Sequence, residues 1–190
     1  MRRFCIVLTA AAIIDAWLTT TDVFGIGRLP EPAASFIPLA FVLLGDLRYF
    51  FFLESARSDG TLAHWNSIPK ACAWTSVVPL LAQLAYAVSG SSNSRVLFLI
   101  YETLFVVLSL GVIAFYLPVD ELRRQWTRRV TLLVIGYYAL WATADAIILS
   151  SGADAGFLLR VLPNVLYYGG LVPVIAWTAP LDSETRASIG

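Results

Sequence analysis

The chain has 190 residues, 58% of them apolar and only 14% charged, and thirteen basic groups cancel thirteen acidic ones. Soluble domains run at roughly 45–50% apolar and about 25% charged, so this composition, with a mean hydropathy of +0.75, excludes an ordinary soluble enzyme. The charge balance also excludes a disordered chain, and it leaves no basic excess with which to hold a nucleic acid partner.

A membrane helix needs about 20 mostly apolar residues, and six stretches qualify. The first, Phe4–Phe24, follows Arg2 and Arg3. It carries Asp15 and Asp22, seven residues apart and so on one face, with Trp17 and Thr19 shortly before Asp22. Two arginines before an apolar run also fit a cleaved signal peptide. Asp15 within the run, and a small-residue cluster as early as Ala10–Ala12, favour a retained helix. The second stretch, Ala33–Leu53, holds Asp46, Arg48 and Tyr49. The third, Ile68–Ser89, holds Gln83 and Tyr86; the fourth, Val96–Leu117, holds Glu102. In the fifth, Val130–Ser150, Tyr138, Trp141 and Asp145 are spaced three and four apart, one helical stripe. The sixth, Phe157–Ala179, carries Asn164, Tyr167 and Tyr168.

The connections are short and rich in turn residues, as in the 25–32, 90–94 and 150–154 segments. The expected fold is therefore all-α: one polytopic membrane domain over residues 1–190, with six helices in a bundle. With the N-terminus inside, the inner segments hold Arg2, Arg3, Arg57, Lys70, Arg123, Arg124, Arg128, Arg129 and Arg186, against Arg28, Arg95 and Arg160 in the outer loops. That bias places both termini in the cytoplasm. Twelve Arg against one Lys is the usage of a GC-rich bacterial genome, so the expected location is a bacterial cytoplasmic membrane.

Cys5 and Cys72 are too few for a disulfide scaffold or a cysteine metal site, and the lone His64 excludes haem pairs and histidine-rich di-iron centres. No P-loop, HExxH, GxGxxG or nucleophile elbow is present. The expectation is no metal and no cofactor.

Ionisable side chains at membrane depth are costly and mark function. At about 1.5 Å per residue, Asp22 and Asp145 fall in the outer half, Asp46 near the middle, and Glu102 and Asn164 about two turns below the outer surface. These groups should converge on a polar cavity opening outwards, with Trp17, Tyr49, Trp141 and Tyr168 as aromatic walls. The plainer reading is structural: an acid such as Asp46 pairs with Arg48, and the rest bond between helices. Trp65, Trp126 and Trp177, near helix ends, read as interfacial aromatics.

Burial in an apolar bundle disfavours the charged form of a carboxyl group, so such a group can serve as a general acid. Paired with a second, ionised carboxylate, it suits acid-initiated reactions of lipid bonds. Protonating a vinyl ether gives an oxocarbenium ion that water traps; protonating an alkene or epoxide starts a terpene cyclisation.

Two segments carry a resemblance. Gly45-Asp46 in the second stretch, and Asp145 in the penultimate one within Ala139–Leu149, resemble the two aspartate motifs of the lysoplasmalogenase-like (YhhN) family of integral membrane proteins, a Gly-Asp at the end of one helix and a Ser-Asp in the penultimate helix. The last helix, with Tyr167-Tyr168 and a small-residue run, is similar to that family's closing helix, and Gln83 and Tyr86 stand where its His-x-x-Tyr would be. The chain departs from the pattern: six expected helices instead of eight, Gln83 for the His, and Ala144 for the Ser before the second Asp. The resemblance implies vinyl ether hydrolysis of a lysoplasmalogen-type lipid, with Asp46 and Asp145 catalytic and Tyr86 and Tyr168 as supporting donors. The remaining expected substrate contacts are Asp22, Trp17, Arg48, Tyr49, Gln83, Glu102, Trp141 and Asn164. Pro38 to Tyr49 also resembles a helix of the integral-membrane terpene cyclases, which implies an isoprenoid substrate and again makes Asp46 the acid. A small proton- or cation-coupled transporter is the non-enzyme reading, and helices broken at Gly or Pro would favour it.

Overall fold

The computed structural model describes residues 2–20, 33–58 and 66–180. Among them every regular element is helical. In chain order these are α1 (Arg2–Thr20), α2 (Ala33–Arg57), α3 (Ser67–Ser89), α4 (Ser94–Gly111) with a π-helical continuation (Val112–Tyr116), and α5 (Glu121–Ser151). The last rod comprises α6 (Asp154–Leu159), α7 (Val161–Val165), a π segment (Leu166–Gly170) and α8 (Leu171–Trp177). Four helices of the described residues are long and apolar enough to cross a membrane: Ser67–Ser89, Ser94–Tyr116, Glu121–Ser151 and Asp154–Trp177. That is compatible with an integral membrane protein.

Local chemistry sets the boundaries. Asn93 caps α4 by accepting from the Arg95 N–H at 3.0 Å, and Asp120 caps α5 by accepting from Leu122 N–H at 3.3 Å. Helices α3 and α5 end at Gly90 (φ 65°) and Gly152 (φ 63°), in the left-handed conformation that glycine adopts without strain. Helix α5 starts nine residues before the expected span, at Glu121 instead of Val130. Its first turns are polar, so hydropathy does not see them. Asp120 and the Gln125–Glu121 side-chain bond of 3.0 Å carry the helix there instead.

Neighbours in sequence are neighbours in space. Helix α2 packs on α3, α3 on α4, α4 on α5, and α5 on α6 to α8, while α1 touches both α2 and α8 and closes the ring. The core is largely aromatic and aliphatic, but it also holds charge, and large apolar side chains remain on the outside. Leu80, Val88, Phe115, Val119 and Trp177 are largely exposed, while Asp46, Arg48, Glu54, Glu102 and Asp145 are buried. An apolar exterior with its ionisable groups turned inward is the arrangement hydrocarbon solvent selects. Two buried hydroxyls are satisfied locally, Thr75 donating to Ala71 O and Thr131 to Thr127 O, both at 2.8 Å, while those of Ser55, Ser109 and Thr127 have no partner among the described residues.

The sixth expected span, Phe157–Ala179, is a rod that changes pitch. Arg160 sits between α6 and α7 in helical conformation, and the ladder runs on through it, with Asn164 N–H bonding to Arg160 O at 3.2 Å. The first expected span runs beyond α1, and Asp22, Arg28, the 25–32 turn, His64, Trp65 and Arg186 lie outside the described residues.

Candidate functional site

Asp46 is fully buried on α2. Its Oδ2 accepts from the Tyr101 hydroxyl of α4 and its Oδ1 from the Tyr138 hydroxyl of α5. The phenols are held by their own rings: Tyr138 stacks on Phe105 at a centroid distance of 4.0 Å and meets Trp141 edge-on at 5.4 Å. One residue earlier, Gly45 makes room for the last rod. A Cβ there would overlap the Tyr167 hydroxyl, which donates to Val42 O at 3.2 Å. Arg48, also buried, donates from Nε to Gly45 O at 3.3 Å. Its guanidinium lies over the rings of Tyr167 and Tyr168, 5.0 and 5.9 Å from their centroids.

Asp145, on α5, is equally buried but differently held. Arg95 of α4 and Arg160 of the last rod both donate from Nη1 to its Oδ1, at 2.9 and 2.6 Å. Its Oδ2 is buried with no hydrogen-bond partner among the described residues. The same is true of Glu102 Oε2. Glu102, 4% exposed, lies within electrostatic range of Asp145, Arg160 and Arg95.

Between these two groups is a cavity of 190 Å³. Tyr101, Glu102, Tyr138, Trp141, Arg160, Asn164, Tyr167 and Tyr168 are among its walls. The Trp141 Nε1–H bonds to Asn164 Oδ1 at 3.1 Å and fixes one wall. Tyr167 and Tyr168 come from the π segment, and such bulges re-aim side chains at functional sites. Four of the residues expected from sequence therefore line one cavity: Glu102, Trp141, Asn164 and Tyr168. Asp46 and Asp145 stand behind it, each touching a wall residue: Asp46 through Tyr101 and Tyr138, Asp145 through Arg160. Arg48 reaches it through the rings of Tyr167 and Tyr168.

Other expected residues lie elsewhere. Tyr49 is buried in the core, bonded to Thr131 at 3.1 Å. Gln83 is exposed on α3, and Tyr86 is half-buried there; neither is among the described lining residues. Trp17, on α1, is 54% exposed and is not among them either. Asp22 lies outside the described residues. Arg95 and Arg160 correct the outer-loop assignment: Arg95 is in the first turn of α4, Arg160 within the last rod, and both turn inward to Asp145.

Sequence reading also missed Tyr101. A tyrosine in mid-span needs a partner for its hydroxyl, and that was the available signal. Among the described residues no three acidic, histidine or cysteine side chains converge as metal ligands. No family model, no curated protein and no solved structure matches this chain.

Proposed function

We propose that this protein is an intramembrane lipid-modifying enzyme whose reaction is vinyl ether hydrolysis of a lysoplasmalogen-type lipid. The observation that supports it is the carboxyl of Glu102, buried with no partner at Oε2 among the described residues, in the wall of an aromatic cavity. Glu102 gives its proton to the outer carbon of the vinyl ether. The adjacent carbon becomes an oxocarbenium centre facing the rings of Tyr101, Tyr138 and Trp141. Water adds to that carbon and returns a proton to Glu102. The hemiacetal then breaks its C–O bond to give an aldehyde and the lipid alcohol. Asp46 works through its two phenols, which it orients towards the cavity. Asp145 and its two arginines set the field at Glu102. The bundle has six spans, with both termini in the cytoplasm, and the membrane is a bacterial cytoplasmic one.

A second reading, a small proton- or cation-coupled transporter, draws on the interrupted last rod. Pro163, Gly169, Gly170 and Pro173 punctuate it, and its π segment carries two cavity tyrosines. The test is to give the purified protein a lysoplasmalogen and follow aldehyde release. Release is expected. Glu102→Gln should lower it by about 10²–10⁴-fold, the range for a lost general acid, and Asp46→Asn and Asp145→Asn, which act through their partners, should each lower it by a smaller factor with the fold intact. No release, together with proton-coupled solute uptake in liposomes, would replace the enzyme by the transporter.

A further inference from the structure

A second polar recess lies at the other end of the bundle. Tyr116 in its wall is 21 residues along from Arg95, about 30 Å at helical rise. The recess has a volume of 420 Å³, larger than the Glu102 cavity. Its walls are the end of α2, the start of α3 and the end of the α4 continuation, and they include Glu54, Arg57, Asn66, Ser67, Lys70 and Tyr116.

Three features give it the character of an anion site. The N-terminus of α3 faces it: Asn66, at the N-cap, makes no side-chain cap, and the first turn contains no acid. Among the described residues no side chain caps the Ser67 and Ile68 N–H groups at the positive end of the helix dipole, which suits an acceptor there. Ser67, the first residue of α3, is 4% exposed and lines the recess, and its hydroxyl has no hydrogen-bond partner among the described residues. Lys70 adds a cation in the same turn, where the dipole alone disfavours one, and it forms no ion pair among the described residues.

The buried Glu54 does not cancel this. Its Oε1 accepts from Trp74 Nε1 at 3.1 Å and from the Tyr116 hydroxyl at 2.8 Å. Tyr116 in turn seats the Arg57 guanidinium 3.6 Å from its ring centroid. Glu54 thus anchors the wall that presents Arg57, and the described lining residues include two cations against one acid. A donor-rich recess with a helix N-terminus, a hydroxyl, a lysine and an arginine matches the several oxygens of a phosphate group.

We propose that this recess is a phosphate-binding site, taking the phosphate of an anionic lipid headgroup or a soluble phosphate. Basic pockets between membrane helices, at headgroup depth, bind lipid phosphates in this way. The test uses the full chain in maltoside micelles, which contain no phosphate, and calorimetric titration with inorganic phosphate and with dihexanoyl phosphatidic acid. Saturable binding of the lipid alone identifies a headgroup site; binding of inorganic phosphate as well identifies a site open to soluble phosphate. Lys70→Gln should weaken binding about fivefold, and Ser67→Ala should weaken it further, with melting unchanged in both. Arg129→Gln, an exposed cation on α5 outside the recess lining, should leave it unchanged. The proposal is overturned if neither probe saturates, or if Arg129→Gln weakens binding as much as Lys70→Gln.

Discussion

Asp46 and Asp145 are the same residue type, buried to the same extent, and their described hydrogen-bond donors differ in kind. Those of Asp46 include two neutral phenols, one on each oxygen. Asp145 takes two arginines on a single oxygen, and its other oxygen has no partner among the described residues. A carboxylate shared between phenols is a hub that fixes three helices. A carboxylate loaded on one side is a field source, with an open acceptor in the neighbourhood of Glu102. Burial alone therefore does not assign a role to a membrane acid; the number, charge and direction of its donors do.

The sharpest way to break this comparison is to strip Asp145 of its cations. The Arg95→Gln/Arg160→Gln double variant leaves a fully buried carboxylate without compensating charge, a loss of about 3–5 kcal/mol. Unfolding in mild detergent should show that loss, and either single variant should show much less because the other arginine stays on Oδ1. A double variant within 1 kcal/mol of the parent, the scale of an exposed pair, would mean that the arginines do not hold Asp145. Asp46→Asn should be milder. The amide keeps one acceptor, so one phenol is orphaned at about 1–3 kcal/mol. Adding Tyr138→Phe to Asp46→Asn should cost less than Tyr138→Phe alone, the non-additivity expected of contacting groups; strict additivity would dissolve the hub. Gly45→Ala should cost a similar ~1–3 kcal/mol, because the new methyl displaces Tyr167 from its place beside α2. Tyr167 lines the cavity, so aldehyde release should fall with it. Unchanged release would detach Tyr167 from the site.

Much of this was legible before the structure. The helical class, the apolar stretches and the acids at Asp46, Glu102 and Asp145 follow from periodicity and from the cost of a charge in hydrocarbon. Two things were not. A count of positive residues along the chain assigns Arg95 and Arg160 to loops, because it reads position and ignores reach. Their long side chains carry charge back into the bundle, and only the approach of α4, α5 and the last rod reveals the target. Gln83 and Tyr86 are not among the described lining residues of the cavity. Gln83 stands out as a polar group inside a span and both stand out by similarity to a motif, while α3 turns Gln83 outward. Spacing along one helix says which residues share a face, while which face meets the cavity is a property of the assembled ring.

Tyr49 is the smallest and most discriminating case. Three residues after Asp46, it shares a face with it and reads as a substrate contact. In the bundle its hydroxyl bonds to Thr131 of α5 instead, and its ring packs 5.0 Å from Phe50 and 6.3 Å from Phe105. Thr131 already donates to Thr127 O, so Tyr49→Phe leaves no donor stranded. It should cost only an ordinary hydrogen bond, about 0.5–1.5 kcal/mol. Aldehyde release per folded molecule should stay at the parent level while the melting temperature drops. The opposite result, lost turnover with unchanged melting, would move Tyr49 from the core into the site and put the α2 face bearing Asp46 in direct contact with substrate.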